Sequence, residues 1–469
     1  MSDGDRGRHP KNVGKKIPQK LLLFGGDCHA VNEFLITKSE KSIFALLQYL
    51  NSLLRSFGYV IQANNPISGL FIILAIGIAS YKAMFSALLM SSLAFIFAKL
   101  IQQDILGNLN GFFSYNAVLH AVVSVGYVPT VYSTVSVSEP KFWLFLFMVT
   151  LISVYFTSSF ANLFRYVWHY PIPCFTIPFN ILQYILIFCL LNNTIPPRIL
   201  SSHLLDPPIK WSGNHSELAD QIKNESFMIN STLSSPDLNG SRQRRDVDGE
   251  NYLEALLDNE QKWTSTDDNI EIKLPEEEQI GDFSNATHLH WGEFFSGTIM
   301  ALSQVYGLND IPCSVLMFLA LVVYSPTTAL FSYAGSFVGT LLGVFLTSDY
   351  EKVYNGTWGY NGLLSSGALA GFGFVLTPQS AFLAFIAVLF CTVFQHFITP
   401  LFDSINVPVF HIPFIVTTFI FLLVSAEVEK ALPRPGIYTY PEKHRREFKN
   451  ANIANMEGYL NRARGSDEV

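Results

Sequence analysis

Hydrophobic residues form long runs on both sides of a single polar stretch. Residues 142–164 carry no charge, and a run of this length can cross the hydrocarbon core of a bilayer, which is about 30 Å thick. Other apolar runs, such as 67–80, 314–323 and 381–394, are shorter than the roughly 20 residues that a full span needs. Broken helices are tolerated at membrane depth only where protein or a water-filled cavity satisfies their backbone. The pattern therefore predicts an all-α polytopic membrane protein that contains a pore.

The composition agrees with a membrane protein. Hydrophobic residues make up 49% of the 469 residues and charged residues only 14%, whereas soluble domains are about 25% charged. The N-terminal 20 residues are polar and basic and lack the apolar core of a secretory signal. The five cysteines, Cys28, Cys174, Cys189, Cys313 and Cys391, lie outside the polar stretch and suggest no disulfide framework.

The polar stretch, residues 191–290, holds 18 Asp and Glu against 8 Lys and Arg. It also contains six Asn-x-Ser/Thr sequons, which accept N-linked glycans in lumenal or extracellular loops. The sequons begin at Asn192, Asn214, Asn224, Asn230, Asn239 and Asn285. We predict an extracellular glycosylated loop over 196–287, with a cytosolic disordered linker as the alternative. The basic cluster from Arg242 to Arg245 resembles a proprotein-convertase site, although an ordinary solvated cluster would look the same.

Both ends of the chain are basic, with eight Lys and Arg between Arg6 and Lys41 and eight between Lys430 and Arg464. The positive-inside rule therefore assigns both tails, 1–43 and 429–469, to the cytoplasm. With the central loop outside, each half must cross the membrane an odd number of times, in opposite orientations. This predicts a multi-pass protein, in the plasma membrane, with inverted repeats of the kind that transporters use.

Three motifs recur in the same order in the two halves. Pro66 corresponds to Pro312 at a spacing of 246, and the pair Tyr115-Asn116 corresponds to Tyr360-Asn361 at a spacing of 245. Pro173 in the segment IPCFTIPFN corresponds to Pro408 in VPVFHIPFI at a spacing of 235. The spacings predict duplicated halves over 44–195 and 288–428. Gly335, Gly339 and Gly343 share one helical face, which favours close helix packing.

The two proline-broken segments carry different polar residues at their centres, Thr176 and His411. Prolines five residues apart predict an irregular backbone that enters a helix at Pro178 or Pro413. Thr176 and His411 would then lie at a helix N-terminus inside the membrane. Their occurrence at equivalent positions favours pore lining, although a lone intramembrane Thr commonly bonds to its own helix.

The Tyr-Asn pairs, at 115–116 and 360–361, follow glycines at the start of apolar helices, where we expect each Asn to act as an N-cap. Tyr115 and Tyr360, with Leu119 and Leu364 one turn later, would form two apolar plates between which a flat molecule slides. Core packing explains the same residues equally well.

Seven segments together resemble the urea transporter family. They are spread along almost everything except the tails and the central loop. They are NNPISGLFIIL (64–74), GFFSYNAVL (111–119), IPCFTIPFN (172–180), SQVYG (303–307), SPTTALFSYAGSFVGTLLG (325–343), GTWGYNGLLSSGALAG (356–371) and VPVFHIPF (407–414).

The resemblance implies two inverted repeats, each of about five transmembrane helices plus a re-entrant pore helix. It also implies a homotrimer in which each protomer has its own continuous pore for passive flow of urea. In that family planar amides pass between aromatic slots while Gln side chains and helix-end backbone accept hydrogen bonds from urea N–H groups. Carried over by position, the family Gln is Gln304, the slot residues are Tyr360 with Leu364 and Tyr115 with Leu119, and the mid-pore threonine is Thr176.

Three positions depart from the family pattern. Tyr59 stands where the family has its first-half Gln, Gln62 stands at the nearby slot aromatic, and His411 replaces the second mid-pore threonine. Tyr59 and Gln62 could exchange roles, because we expect Gln62 about one helical turn after Tyr59. Alternatively, this mouth no longer accepts urea as the family does. His411 adds a larger ring that could narrow the pore and titrate near neutral pH.

The departures leave three functions open. Passive urea transport is the leading one, and a transporter of the same fold for ammonia or a short amide is the second. A glycosylated membrane scaffold would leave the duplicated broken helices unused. No GxSxG, HExxH or P-loop motif occurs, so we predict neither an enzyme nor a metal or cofactor site. The expected partners are urea, the lipid bilayer and two further copies of the chain, with no nucleic acid.

Overall fold

A computed structural model describes the chain in five stretches. These are residues 25–38, 43–168, 172–191, 289–424 and 431–466. The six sequons, the Arg242 to Arg245 cluster and the whole predicted glycosylated loop, 196–287, lie outside the described residues.

The elements described in the first half, and in the segment that precedes it, are helices. The described helices are α1 His29–Ile36, α2 Phe44–Tyr59, α3 Pro66–Ala79, α4 Tyr81–Leu100, α5 Ile105–Leu109, α6 Tyr115–Val122, α7 Val128–Val131, α8 Pro140–Trp168 and α9 Ile177–Leu191. A π-helical turn, Val123–Tyr127, joins α6 to α7. Turns of this type are frequent at functional sites.

The second half follows the same order of long and short helices. Its described helices are α10 Trp291–Gln304, α11 Ile311–Tyr324, α12 Pro326–Leu346, α13 Tyr350–Tyr354, α14 Tyr360–Leu369, α15 Pro378–Ser404 and α16 Ile412–Leu422, and α17 Pro441–Ser466 closes the chain. One isolated bridge joins Ala370 and Phe374. Apart from the very short helices α5, α7 and α13, each half as described combines five longer helices with one shorter helix, α6 or α14, that begins at a Tyr-Asn pair.

Helices α3 and α11 begin in the same way. Asn65 accepts hydrogen bonds from Ile67 N (2.7 Å) and Ser68 N (3.2 Å), and Asp310 accepts one from Cys313 N (2.7 Å). The proline of each motif lies in the first turn, where its missing N–H costs nothing. The prediction of apolar helices after these prolines is confirmed.

Four of the described helices, α4, α8, α12 and α15, are long and apolar enough to cross a membrane. Helices α3, α9, α11 and α16 are apolar but shorter. The long helices leave large apolar side chains such as Phe85, Leu144 and Phe397 exposed, as lipid-facing surfaces require.

Two glycines fix the turns before the short helices. Gly111 and Gly356 have φ of +72° and +74°, and a Cβ on either would lie 2.5 Å from a backbone nitrogen of α2 or α10. Only glycine adopts this conformation without strain and allows this approach. The predicted packing role of the glycines in α12 is also confirmed, because a Cβ on Gly335 would lie 2.5 Å from the carbonyl oxygen of Gly362 in α14.

The two halves pack against each other along α3 and α11. Ser68 Oγ donates to the carbonyl of Ala320 at 2.7 Å, and Tyr306 Oη donates to the carbonyl of Phe57 at 2.7 Å. These hydrogen bonds and the buried apolar residues around them form one core that spans both halves.

Candidate functional site

The two proline-broken segments have nearly the same backbone. Phe175 and Phe410 have φ of +43° and +42°, a left-handed conformation that is uncommon for bulky residues. Helices α9 and α16 begin two residues later, with Pro178 and Pro413 in their first turns. The prediction that each segment enters a helix at its second proline is confirmed.

The tyrosines of the short helices hold these segments in place. Tyr115 Oη donates to the carbonyl of Phe175, and Tyr360 Oη donates to the carbonyl of Phe410 at 2.5 Å. Each hydroxyl therefore satisfies a carbonyl that the left-handed turn takes out of a helix. The rings of both tyrosines are consequently fixed by a bond to the segment that carries Thr176 or His411.

The prediction that Asn116 and Asn361 cap these helices is wrong. Ser114 and Gly359 occupy the N-cap positions, without a side-chain cap. Asn116 lies inside the helix and donates to Thr157 Oγ1 at 3.0 Å. Asn361 donates to Gln395 Oε1 at 2.9 Å and so ties α14 to α15. Both amides connect helices rather than cap them, because glycine-led turns bring them against the neighbouring helix.

The expected relation of Tyr59 to Gln62 is also wrong. Helix α2 ends at Tyr59, and Gln62 lies in the following turn with φ of +64°. The equivalent residue of the second half is Gly307, with φ of +68°. Gln62 therefore takes a conformation that favours glycine, and its side chain, 8% exposed, donates to the carbonyl of Leu364 at 3.5 Å.

Two separate cavities contain most of the candidate residues. The wider cavity, about 1090 Å³, is lined by Gln304, Tyr360 and His411. The narrower cavity, about 250 Å³, is lined by Tyr59, Gln62, Tyr115 and Thr176. Leu119 and Leu364 lie in the buried core and line neither of these two cavities.

A pair of aromatic rings lines each cavity beside Thr176 or His411. The rings of Phe175 and Phe414 are 5.3 Å apart, and those of Phe179 and Phe410 are 5.5 Å apart. Thr176 and His411 are each 2% exposed, and the two cavities share no lining residue. Among the described residues, these two cavities are thus separated at Thr176 and His411, whose side chains are almost fully buried.

Three buried polar atoms of residues that line these two cavities, among others elsewhere, have no hydrogen-bond partner within the described part of the chain. They are Gln62 Oε1, Thr176 Oγ1 and His411 Nδ1. An unsatisfied buried polar atom is costly and requires an explanation, such as a water or a ligand. All three belong to residues that the sequence singled out.

In the first-half slot the aromatic rings touch each other. The rings of Tyr59 and Tyr115 are 4.9 Å apart and inclined by 31°, and Phe112 lies 5.8 Å from Tyr59. Tyr59 thus fills this side of the narrower cavity. In the second half, by contrast, the equivalent residue is Gln304, the last residue of α10, and it is half-buried.

The terminal segments complete the narrower cavity. Asp27, Tyr438, Thr439 and Lys443 line it, and Lys443 Nζ lies 3.5 Å from Asp27 Oδ2. Glu442 accepts hydrogen bonds from Ser325 Oγ at 2.8 Å and from Thr327 N at 3.0 Å, so its carboxylate caps the N-terminus of α12, where negative charge is stabilising.

His444 anchors the same C-terminal segment. Its Nδ1 lies 2.8 Å from the carbonyl of Gly371, and its Nε2 accepts a hydrogen bond from Thr439 N at 2.9 Å. Burial lowers the pKa of His444 below its ordinary value. Nε2 also lies 2.9 Å from the carbonyl of Ile437, a contact that favours the charged ring, but burial is the larger effect and favours the neutral one.

Sequence reasoning missed two buried polar residues near the cavities. Arg55 is fully buried in α2 and donates to the carbonyls of Asn64 (2.9 Å) and Asp27 (2.8 Å). His120 is buried in α6, with Nδ1 2.9 Å from Gln183 Oε1. The signal available in the sequence was a cation or an imidazole within an apolar helix, which often marks a functional residue.

Comparison with known proteins connects the site to a family. The sequence matches the model of a family described as Urea transporter over residues 50–226 and 264–426. Urea transporter 1 of Rattus norvegicus is 23% identical over 434 residues, which cover 91% of this chain and 88% of the relative. Urea transporter 1 of Ovis aries is 22% identical over 464 residues, or 96% of each chain.

Proposed function

The chain belongs to the urea transporter family, and from this premise we propose that it carries urea passively across a membrane, down its concentration gradient. The observation that carries the proposal is the set of three unpartnered polar atoms on residues that line the two cavities. Urea is small, flat and neutral, so its transfer between apolar walls is cheap only where its N–H groups find acceptors. Gln62 Oε1, Thr176 Oγ1 and His411 Nδ1 would supply such acceptors in sequence.

We assign roles to the remaining candidate residues on the same basis. Gln304 would accept urea N–H groups in the wider cavity, where Tyr360 supplies the aromatic face and Leu364 the apolar backing. Tyr115 and Leu119 would do the same in the narrower cavity. Tyr59 would close one side of that cavity. Passage requires the buried aromatic rings of Phe175, Phe179, Phe410 and Phe414 to move apart.

The proposed architecture is a homotrimer in which each protomer holds its own pore between inverted repeats. The recurrence of five longer helices and one shorter helix supports the repeats, and α6 and α14 would be re-entrant. We place the protein in the plasma membrane, with both tails in the cytoplasm and residues 196–287 glycosylated outside. A glycosidase-induced mass shift supports this sidedness, whereas an unglycosylated protein at the cell surface contradicts it.

A second candidate is a transporter for another small neutral or weakly basic solute, such as ammonia or a short amide. It is favoured by Tyr59, because an aromatic ring packs on Tyr115 where the second half has Gln304. This mouth is thus more apolar than its counterpart, although Gln62 restores one amide.

The proposal is tested by uptake of radiolabelled urea into proteoliposomes that contain the purified protein, alongside ammonia and thiourea. We expect urea flux well above that of empty liposomes, and a decrease of about tenfold in Gln304→Leu, as loss of one buried hydrogen bond implies. Gln379→Leu is the matched control, because Gln379 is an exposed glutamine in α15. Absence of urea flux in folded protein contradicts the proposal, and ammonia flux without urea flux favours the second candidate.

A further inference from the structure

The imidazole of His411 is held rigidly at the divide. Its backbone N–H donates to Asn180 Oδ1 at 3.1 Å, and its carbonyl accepts from Ile415 N at 2.9 Å. Its ring lies 5.3 Å from Phe179 and 5.9 Å from Tyr360. The ring therefore has a defined orientation, set by backbone bonds on one side and aromatic contacts on two others.

The contact of Nε2 fixes which nitrogen carries the proton. His411 Nε2 lies 3.0 Å from the carbonyl oxygen of Val305, and a carbonyl only accepts. Nε2 must therefore be protonated and donate. Burial without a charged partner disfavours the doubly protonated ring, so Nδ1 keeps its lone pair. This nitrogen is buried and has no partner in the described part of the chain.

We infer that His411 Nδ1 is a hydrogen-bond acceptor for the moving solute, which makes this step of the pathway selective for neutral molecules that donate an N–H. The inference rests on the proposed function and deepens it. His411 lines the wider cavity, and the ring motion that the proposed passage requires would open its buried Nδ1 to the solute. Urea can donate an N–H to Nδ1 from either of its nitrogens. A solute that has only acceptors cannot, because its lone pair would face the lone pair of Nδ1.

Thr176, the equivalent residue of the first half, provides a different contact. A threonine hydroxyl both donates and accepts, so it can meet either the N–H groups or the carbonyl of urea. With its proton on Nε2, His411 offers urea only the acceptor Nδ1, which can bond only to the N–H groups of urea. A urea molecule must therefore present its amide edge to His411, while its orientation at Thr176 is free. The pathway is thus chemically asymmetric although its backbone is duplicated.

Two substitutions distinguish the roles of the two ring nitrogens of His411. In His411→Asn the amide oxygen occupies the place of Nδ1, so the acceptor remains and the bond to Val305 is lost. In His411→Gln the amide nitrogen occupies the place of Nε2, so the bond to Val305 remains and the acceptor is lost. We expect urea flux in proteoliposomes to stay within about threefold of the unmodified protein for Asn and to fall about tenfold or more for Gln.

Equal flux in the two variants, or full flux in His411→Gln, would overturn the inference, because the ring would then act by shape alone. A second measurement does not depend on the transport activity of the variants. Solid-state NMR of the full-length protein labelled with ¹⁵N in its histidine rings, assigned by subtraction of the His411→Asn spectrum, should show a protonated Nε2 and an unprotonated Nδ1. A protonated Nδ1 contradicts the inference. Absence of urea flux in the unmodified protein contradicts the proposed function instead. The NMR spectrum would still report which nitrogen of His411 carries the proton.

Discussion

The narrower and the wider cavity are built from equivalent positions of the two halves, yet they differ in size and lining. The wider cavity, about 1090 Å³, has Gln304 at its wall, and among the described residues none from 25–38 or 431–466 lines it. The narrower cavity, about 250 Å³, has Tyr59 at the equivalent wall and residues from both of those terminal segments around it. A duplicated backbone can therefore carry two chemically different mouths, because side chains and terminal segments vary while the turns remain.

The strongest test of the shared backbone is the pair Gly111→Ala and Gly356→Ala. Each adds a Cβ at 2.5 Å from backbone in a left-handed turn, so we expect each to lower the free energy of unfolding by about 3 kcal/mol or more. Thermal unfolding in detergent measures the loss. Gly292→Ala is the control, because a Cβ there meets nothing within 4 Å. A large effect at only one of the two turns would contradict their equivalence.

A smaller and unequal effect is expected for Tyr115→Phe and Tyr360→Phe. Each removes the hydroxyl that donates to the carbonyl of Phe175 or Phe410, which should lower the free energy of unfolding by roughly 1–3 kcal/mol. Phe410 O also accepts from Asn361 Nδ2 at 3.2 Å, so Tyr360→Phe should destabilise less than Tyr115→Phe. The same unfolding assay compares them, and the reverse order would show that Asn361 does not compensate.

Gln62 and Gly307 occupy equivalent left-handed turns, and substitution can exchange the two residue types. Gln62→Gly removes the strain of a left-handed glutamine, of the order of 1 kcal/mol, and also removes an amide from the narrower cavity. We therefore expect unchanged or higher thermal stability together with lower urea flux. Gly307→Gln is the matched reversal and should lower stability. If Gln62→Gly leaves flux unchanged, Gln62 does not contact the solute.

The weakest expected effect concerns the C-terminal segment at the narrower cavity. The folded-state pKa of His444 lies below its ordinary value of about 6.5. Its neutral ring therefore stabilises the segment above that pH, and this contribution is lost as the pH falls through the folded-state pKa. Glu447 favours the charged ring and Lys443 opposes it.

Hydrogen exchange of residues 431–449 should accordingly increase between pH 7.5 and pH 5, after correction for the intrinsic exchange rate. His444→Asn should exchange faster at both pH values and lose this dependence. Identical protection at the two pH values in the unmodified protein would show that His444 does not anchor the segment.

Local signals in the sequence predicted the helix starts correctly. Pro66, Pro178 and their counterparts mark first turns because proline is tolerated there and hardly elsewhere in a helix. The Asn caps were wrong because Gly111 and Gly356 already turn the chain, which leaves both amides free to join neighbouring helices. The helical placement of Gln62 was wrong because nothing in its side chain indicates a left-handed turn.

The bonds that hold the site together could not be predicted from local pattern. The hydroxyl bond of Tyr115 spans 60 residues and that of Tyr360 spans 50, and the contact of His411 with Val305 spans 106. Such contacts depend on how helices pack rather than on periodicity or composition. The sequence therefore singled out candidate residues, whereas their contacts and the tautomer of His411 required the structure.

The central claim, passive transport of urea, is tested most directly by the final distribution of urea across proteoliposome membranes. The account predicts that labelled urea reaches equal concentrations inside and outside, at a rate that an imposed sodium or proton gradient does not change. Accumulation of urea above the external concentration when such a gradient is applied would contradict it.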